Sequence, residues 1–437
     1  MGRRSARHAR AVRVLVVGAG GREHALAWRL ARDPTVERVL AAPGNAGIAR
    51  EASCFGVAAD DVGGLLALVE RERVDLTVVG PEGPLVAGLA DRLAAAGHPV
   101  FGPSGEAARL EGSKGWAKDL CERYGIPAAG SLSAATMGQA LRALDGFGPP
   151  YVVKVDGLAA GKGVVITEDR DEAVRALELA LVQGAFGDAG STVVVEEHLS
   201  GREVSAFALA DGATALPLGF AQDFKRVDDD DAGLNTGGMG AYSPVPFIDE
   251  AIAERIRTEI LEHTVRALAE EGVPYRGVLY AGLMLTDEGP RVLEFNCRFG
   301  DPETQVLMPR LRSEPAQLLL ACARGDLGNA EVDLRPGACV TVVLASGGYP
   351  GAYETGFVIE GLDAADGVGG AIVFHSGTAE RKGRVVTAGG RVLAVSATGT
   401  SIAEARDRAY EASAHLSFEG MHHRTDIAEM AAKEERT

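Results

Sequence analysis

Apolar positions recur along this chain with two periods, and the first hundred residues show both. VRVLVVG, RVLAA, VDLTVVG and PVFGPS are short apolar runs that read as strands, while the stretch near Arg22 to Arg32 carries apolar residues at helical spacing. Strand, helix and strand in repetition predict a parallel sheet. Each strand runs into glycine or proline: Gly18-Ala19-Gly20-Gly21, Pro43-Gly44-Asn45, Gly80-Pro81-Glu82 and Gly102-Pro103-Ser104. Ligands of open parallel sheets sit at the carboxyl ends of the strands, so these four turns should ring one crevice.

A second pattern starts near Lys114. After a helix, YVVKV and GVVIT read as a hairpin lid joined by Asp156-Gly157-Leu158-Ala159-Ala160-Gly161-Lys162-Gly163. STVVVEEHL follows at 191–199, then a mixed region with GVLYAGLML and PRVLEFNCRFGD to about 327. The last hundred residues are strands with an amphipathic helix from Ile402 to about His415. The expectation is an α/β and α+β multidomain chain: a disordered basic start at 1–10, an open parallel α/β domain at 11–112, a main domain from 113–125 and 193–327 with a lid inserted at 126–192, and a mixed β-rich domain at 328–437. No low-complexity linker separates these parts, so they should pack tightly.

Composition narrows the function classes. Hydrophobic residues at 46% and charged residues at 24% suit an ordinary globular protein. A net charge of −17 repels nucleic-acid backbones and anionic membrane surfaces, so neither is an expected partner. The five cysteines are odd in number and never in a CxxC pair, which indicates neither a disulfide framework nor a zinc site. No run of 18 apolar residues occurs, and the basic start leads straight into a Gly-rich turn without a signal-peptide core; a cytoplasmic protein is expected.

VVGAGGREHA resembles a dinucleotide fingerprint only in part. Gly18 and Gly20 fit, but Glu23 stands where the third glycine belongs, and the second strand ends in Ala41-Ala42-Pro43 with no acid for a ribose. What survives is a helix N-terminus able to take phosphate, or a tight turn alone. The loop at 156–163 is more specific: Gly157, Gly161 and Gly163 expose backbone N–H groups, and Lys154 and Lys162 add charge, so the loop can close over a triphosphate; a plain flexible hairpin is the alternative. In LEFNCRFGDPET, Glu294 and Asn296 share one strand face, and two oxygen ligands suit magnesium. Arg298, next on that face, can contact a carboxylate or a transferring phosphoryl group; simple exposed alternation is the other reading. After VVVEEHL, Glu203 is placed to meet ribose hydroxyls. The acidic run Asp228 to Asp231 reads as a solvated loop, and His24 as a structural histidine.

Taken together, GAGGREHALAW, APGNAG, VGPEGPLVAGLAD, FGPSGEAARLEGSK, KVDGLAAGKGVVI, AFGDAG, QDFKR, NTGGMGAYSP, LYAGLM, LEFNCRFGDPETQ and ASGGYPG resemble the glycinamide ribonucleotide synthetase (phosphoribosylamine–glycine ligase) family of purine synthesis, in order over about residues 11 to 430. The resemblance implies an ATP-grasp fold, with 11–112 binding substrate and 126–192 as the lid. It implies ATP on Lys114, Lys154, the loop Gly157 to Gly163 with Lys162, Glu196, Glu197, Leu199 and Glu203, and Mg²⁺, with Mn²⁺ as substitute, on Glu294 and Asn296. It implies 5-phosphoribosylamine at Gly18, Gly20, Gly21, Asn45, Gly80, Pro81 and Glu82, and Asp223, Lys225, Arg298 and Asp301 as catalytic residues near the reacting groups. Glycine would be activated as glycyl phosphate, and a monomer is expected over an oligomer. ATP-grasp enzymes often carry a further acid on the strand corresponding to GVLYAGLML. This strand has none, which leaves the ligands of a second magnesium open between Asp301 and the oxygens of ATP and water.

Overall fold

The computed structural model describes residues 11–159 and 163–435; the expected basic start and the loop positions Gly161 and Lys162 lie outside the described residues. The run VRVLVVG is apolar because strand β1 (Val12–Gly18) is covered on both faces. With β2 (Val36–Pro43), β3 (Ser53–Cys54), β4 (Leu76–Val79) and β5 (Val100–Phe101) it forms a parallel sheet in the order β3-β2-β1-β4-β5. Strand order reverses between β1 and β4. That switch brings the turns Gly18–Gly21 and Gly80–Glu82 side by side.

The lid is a four-stranded antiparallel sheet of β6 (Ser131–Ala134), β7 (Tyr151–Val155), β8 (Val164–Thr167) and β9 (Val193–Glu196), in the order β6-β9-β7-β8. Its strand β9 lies just beyond the 126–192 stretch expected for the insertion. Val153, Val155, Val193 and Val195 pack with the helices Met137–Phe147 and Arg170–Leu181 into the lid's own core. The strand period of two then turns Lys154 and Glu196 to the opposite face.

The rest of the chain forms one eight-stranded antiparallel sheet and two short hairpins. In chain order the strands are β10 (Arg202–Asp211), β11 (Ala215–Asp223), the hairpin β12 (Arg226–Asp228) and β13 (Ala232–Asn235), β14 (Gly240–Ser243), β15 (Arg276–Thr286), β16 (Gly289–Asn296), β17 (Ala338–Ala345), β18 (Ala371–His375), the hairpin β19 (Thr378–Arg381) and β20 (Arg384–Thr387), and β21 (Arg391–Gly399). The sheet order is β16-β15-β10-β11-β14-β17-β21-β18. Strand β14 pairs with β11 on one side and β17 on the other, so a continuous ladder runs through residues on both sides of position 328. The helix Ile402–Ala414 closes the C-terminal half. No helix among the described residues is long and apolar enough to cross a membrane.

Candidate active site

The turn after β1 is built around Glu23. Gly18 has φ +127°, and a Cβ added there would lie 2.6 Å from Glu23 Cγ; a side chain at Gly80 would collide with the same carboxylate. Buried Glu23 accepts the Gly20 N–H on Oε2 at 2.5 Å and the Arg22 Nε–H on Oε1 at 2.5 Å. The residue that breaks the dinucleotide fingerprint therefore occupies the helix N-terminus itself. Arg22 reaches on to the Phe299 carbonyl at 3.0 Å.

Asn45 spends its amide on the protein. Its Nδ2 donates to the carbonyls of Ala19 and His375 at 2.8 Å each, and its Oδ1 accepts the N–H groups of Gly47 and Ile48 at 2.9 Å. It thus ties the first turn to β18. Gly20 and Gly21 in turn face Asp301, Gln305 and Ser376, and a Cβ at Gly21 would push on Ser376 Oγ and Gln305 Nε2. Burial would raise Asp301, yet Arg391 and Arg22 hold its carboxyl below the ordinary value. Gln305 Nε2 donates to Asp301 Oδ1 at 2.7 Å, and Arg391 bonds the Asp301 carbonyl at 2.6 Å.

The lid and the helix Lys114–Tyr124 meet β16 through lysines. Lys154 Nζ donates to Glu196 Oε2 at 2.9 Å and to the Leu293 carbonyl at 3.2 Å. Lys118 lies 3.0 Å from the same Glu196 oxygen, while Glu196 Oε1 is buried without a hydrogen-bond partner among the described residues. Lys114 Nζ donates to the Gly157 carbonyl at 3.2 Å, and burial lowers its pKa, with Lys154 adding to the effect and Glu294 opposing it. Gly157 packs on Ala189, where an added Cβ would come 2.7 Å from the alanine methyl, and Gly163 packs against Val155. Glu197 accepts the Gly130 N–H at 3.1 Å and pairs with Arg291 at 3.3 Å; Leu199 is buried beside them in sequence.

Glu294 and Asn296 share a face of β16 as their spacing predicts. Gly282 of β15 stands opposite Glu294, and an added Cβ there would lie 3.3 Å from Glu294 Cγ. Burial would raise Glu294, but Lys225, Lys154, Lys114 and Arg298 together hold it below the ordinary carboxylate value. Asn296 Oδ1 accepts from Arg298 Nη2 at 2.9 Å. Arg298 Nε donates to Glu82 at 3.1 Å, which joins β16 to the turn after β4.

In the loop just past β11, Lys225 donates to Glu203 of β10 at 2.6 Å. Burial raises Asp223 to about 7 against the pull of Lys225, with Glu303 and Glu203 adding to the rise. Burial works against the charge on Lys225, but Asp223, Glu203 and Glu294 outweigh it and raise Lys225 well above its ordinary value.

The structure thus brings Lys154 of the lid, Lys114 and Lys118 of the helix Lys114–Tyr124, the Glu294 strand and the N-terminal turns to one cleft. Their linking contacts are Lys154 to Leu293, Arg298 to Glu82, and Gly20 against Asp301. Profiles described as the phosphoribosylglycinamide synthetase N domain, ATP-grasp (A) domain and C domain match residues 12–111, 112–304 and 339–430 in turn. The chain is 50% identical over 423 residues to a phosphoribosylamine–glycine ligase of Mesorhizobium japonicum, covering 97% of this chain and 99% of that one. The chain belongs to the phosphoribosylglycinamide synthetase family. It is also 48% identical to the ligase of that name from Vibrio parahaemolyticus, over 97% of this chain and 100% of the relative. The crystal structure of the Thermotoga maritima phosphoribosylamine–glycine ligase matches with TM-score 0.84 at 37% identity, over 95% of this chain and 100% of that one. A 2-oxoglutarate carboxylase biotin carboxylase domain from Hydrogenobacter thermophilus, solved with MgADP, matches at TM-score 0.72 and 17% identity over 94% of this chain and 91% of that one, a likeness of fold alone.

For a phosphoribosylglycinamide synthetase, several polar residues of the cleft carry weak marks in sequence. Lys118 is one helical turn from Lys114, so the i,i+4 rule points to it. Glu111, Glu303 and Arg391 have no such local signal. The acidic run departs in detail from its sequence reading, while His24 follows its own. The acidic run is not only solvated: Asp229 accepts the Thr425 N–H at 2.7 Å and Asp231 pairs with buried Arg424 at 2.8 Å, which pins the C-terminal segment. His24 is structural, with Nδ1 accepting the His375 N–H at 2.7 Å and burial driving its pKa well below the ordinary value.

Proposed function

We propose that the chain joins glycine to 5-phosphoribosylamine, giving glycinamide ribonucleotide, ADP and phosphate through glycyl phosphate. The observation that carries this reading is the convergence of Lys154, Lys114 and Lys225, strand oxygens and N-terminal turns around Glu294 and Arg298. The phosphates of ATP would lie between Lys114 and Lys154 beneath the loop Gly157 to Gly163. Glu196, Glu197 and Leu199 would line the adenine and Glu203 the ribose. The turns Gly18 to Gly21 and Gly80 to Glu82, shaped by Asn45, would receive phosphoribosylamine.

The donor set of β16 fits a divalent cation. Glu294 is held anionic, and the Asn296 carbonyl oxygen that accepts from Arg298 keeps a second lone pair. Mg²⁺, with Mn²⁺ as substitute, would be held by Glu294 and Asn296 and, when bound, would supply charge neutralisation for the transferring phosphoryl group. Around that site the chain's own residues position reactants, since phosphoryl transfer asks little covalent work of side chains.

A carboxylate oxygen of glycine attacks the γ-phosphorus, the bond from that phosphorus to the β,γ-bridging oxygen breaks, and ADP leaves. The amine nitrogen of phosphoribosylamine then attacks the acyl carbon. The acyl carbon–oxygen bond breaks, phosphate departs with the electron pair, and the nitrogen gives up a proton. Arg298 and Lys225 offset the developing negative charge, while Asp223 and Asp301 flank the reacting groups. Closure of the lid keeps water from the acyl phosphate. The same reading makes the chain a cytoplasmic monomer with no nucleic-acid or membrane partner.

Freshly generated phosphoribosylamine, ATP and glycine should together release ADP, and omission of either acceptor should abolish it. Equal release with another amino acid in place of glycine points to a different ATP-grasp ligase. Absence of turnover points to a nucleotide sensor.

A further inference from the structure

The motif FGPSGEAARLEGSK contains a carboxylate that the proposed reaction leaves unused. Glu111 sits on the short helix Arg109–Gly112 and is buried. Its Oε2 accepts the Cys297 N–H at 2.8 Å, and its Oε1 lies 2.9 Å from Nη2 of Arg298. One carboxylate therefore grips two successive residues just past the end of β16. The Nε edge of the same guanidinium meets Glu82, and Nη2 also donates to Asn296 Oδ1.

Exposure separates the two acids that flank Arg298. The Glu82 side chain is 32% exposed and the Glu111 side chain 8%. An incoming anion can take the place of Glu82 at the mouth of the cleft, whereas Glu111 has no comparable access to solvent. A guanidinium on a long flexible stem is directional only when its planar fork is held by fixed acceptors. Glu111 is such an acceptor, and its second oxygen is locked by a backbone N–H.

We propose that Glu111 is the positioning residue for Arg298: it fixes the guanidinium so that the substrate carboxylate, on displacing Glu82, meets a preformed binding edge beside Asn296. The inference rests on the ligase reading and deepens it. Glu111 acts through Arg298: its carboxylate bonds Cys297 and Arg298, and only a minor Coulombic pull reaches Lys114.

Steady-state ADP release by the full-length chain, with ATP, glycine and freshly generated phosphoribosylamine, tests this in the parent, Glu111→Gln, Glu111→Asp, Arg298→Lys and the double variant Glu111→Gln/Arg298→Lys. Glutamine still offers an oxygen to the Cys297 N–H, which favours a folded variant. In Glu111→Gln, kcat should fall about 10- to 100-fold, the effect of a small misplacement at a reacting centre, with a raised KM for glycine. The KM for ATP should stay within about twofold, and aspartate should recover part of the loss. The double variant should be slower than Arg298→Lys by less than about threefold, because the two residues act as one unit.

Parent-like constants in Glu111→Gln beside an active parent would overturn the inference while sparing the ligase reading. So would a lowered Tm with equal losses toward ATP and glycine that aspartate does not recover, which is the signature of a merely structural acid. A parent without glycine-dependent ADP release would end the ligase reading and this inference together.

Discussion

The turn around Gly18–Gly21 and the cleft between the lid and β16 are both dense in polar groups, yet they use them differently. In the turn region the polar groups mostly bond one another: Glu23 takes the Gly20 N–H and Arg22, and both ends of the Asn45 amide are engaged by carbonyls and N–H groups of the protein, while Gln305 Oε1 and His375 Nε2 beside them are buried without a partner among the described residues. In the cleft, charges of both signs are gathered into one buried network. Four cations act on the carboxylate of Glu294 while three of them also pair with Glu196, Glu203, Glu82 and Glu111, and one oxygen of Glu196 is buried without a partner among the described residues. Unpaired polar groups and gathered like charges are costly in a folded chain unless a ligand completes them. The turn region is thus a frame that sets backbone shape, and the cleft is where binding energy is held in reserve.

Substitutions that respect or cross this division sharpen it. The largest effect is expected for Glu294→Gln, with kcat lowered about 10²- to 10³-fold, the scale of removing a group that stabilises transition-state charge, and with a Tm near the parent's. Near-normal ADP production would remove Glu294 from the reaction. Lys154→Ala should lower kcat/KM for ATP about 10- to 100-fold, the worth of a charge-assisted hydrogen bond, and unchanged constants would mean that Lys154 serves only Glu196. Asn45→Ala belongs to the frame: it removes the amide that bonds the carbonyls of Ala19, His375 and Ser376 and two N–H groups, so a loss of about 1–3 kcal/mol in stability is expected, read as a lower Tm in a thermal melt. A parent-like Tm with a sharply raised KM for phosphoribosylamine would move Asn45 into the binding machinery.

The smallest effect concerns pH. Burial raises Asp223 from its ordinary 3.8 to about 7, so its protonated form is the one the fold favours. The stability this contributes is complete below about pH 4 and is lost as pH rises through about 7. Asp223→Asn should therefore gain in Tm relative to the parent between pH 5 and pH 8. A difference in Tm that does not change over that range would contradict the raised value.

Much of the cleft is legible in sequence because it rests on local periods. Strand alternation puts Glu294 and Asn296 together, and the lid strands turn Lys154 away from the valine core by the same rule. Glycines mark tight turns, as at Gly18 and Gly21, where an added Cβ would push on neighbouring side chains. Contacts across long separations leave no such trace. Glu111 meets Cys297 from 186 positions away, and Arg391 reaches Asp301 from 90. Even at Asn45 the sequence points to the right turn but not to how its amide is spent, since the His375 carbonyl comes from 330 residues further on.

The central claim is that the lid and β16 clasp the nucleotide in the cleft that the N-terminal turns enter. A crystal structure of the full-length chain with Mg²⁺ and a non-hydrolysable ATP analogue tests it most directly. The account predicts the β- and γ-phosphates between Lys114 and Lys154, and a cation about 2.0–2.1 Å from oxygens of Glu294 and Asn296. A nucleotide bound on another face, with Glu294 and Asn296 free of metal, would contradict it.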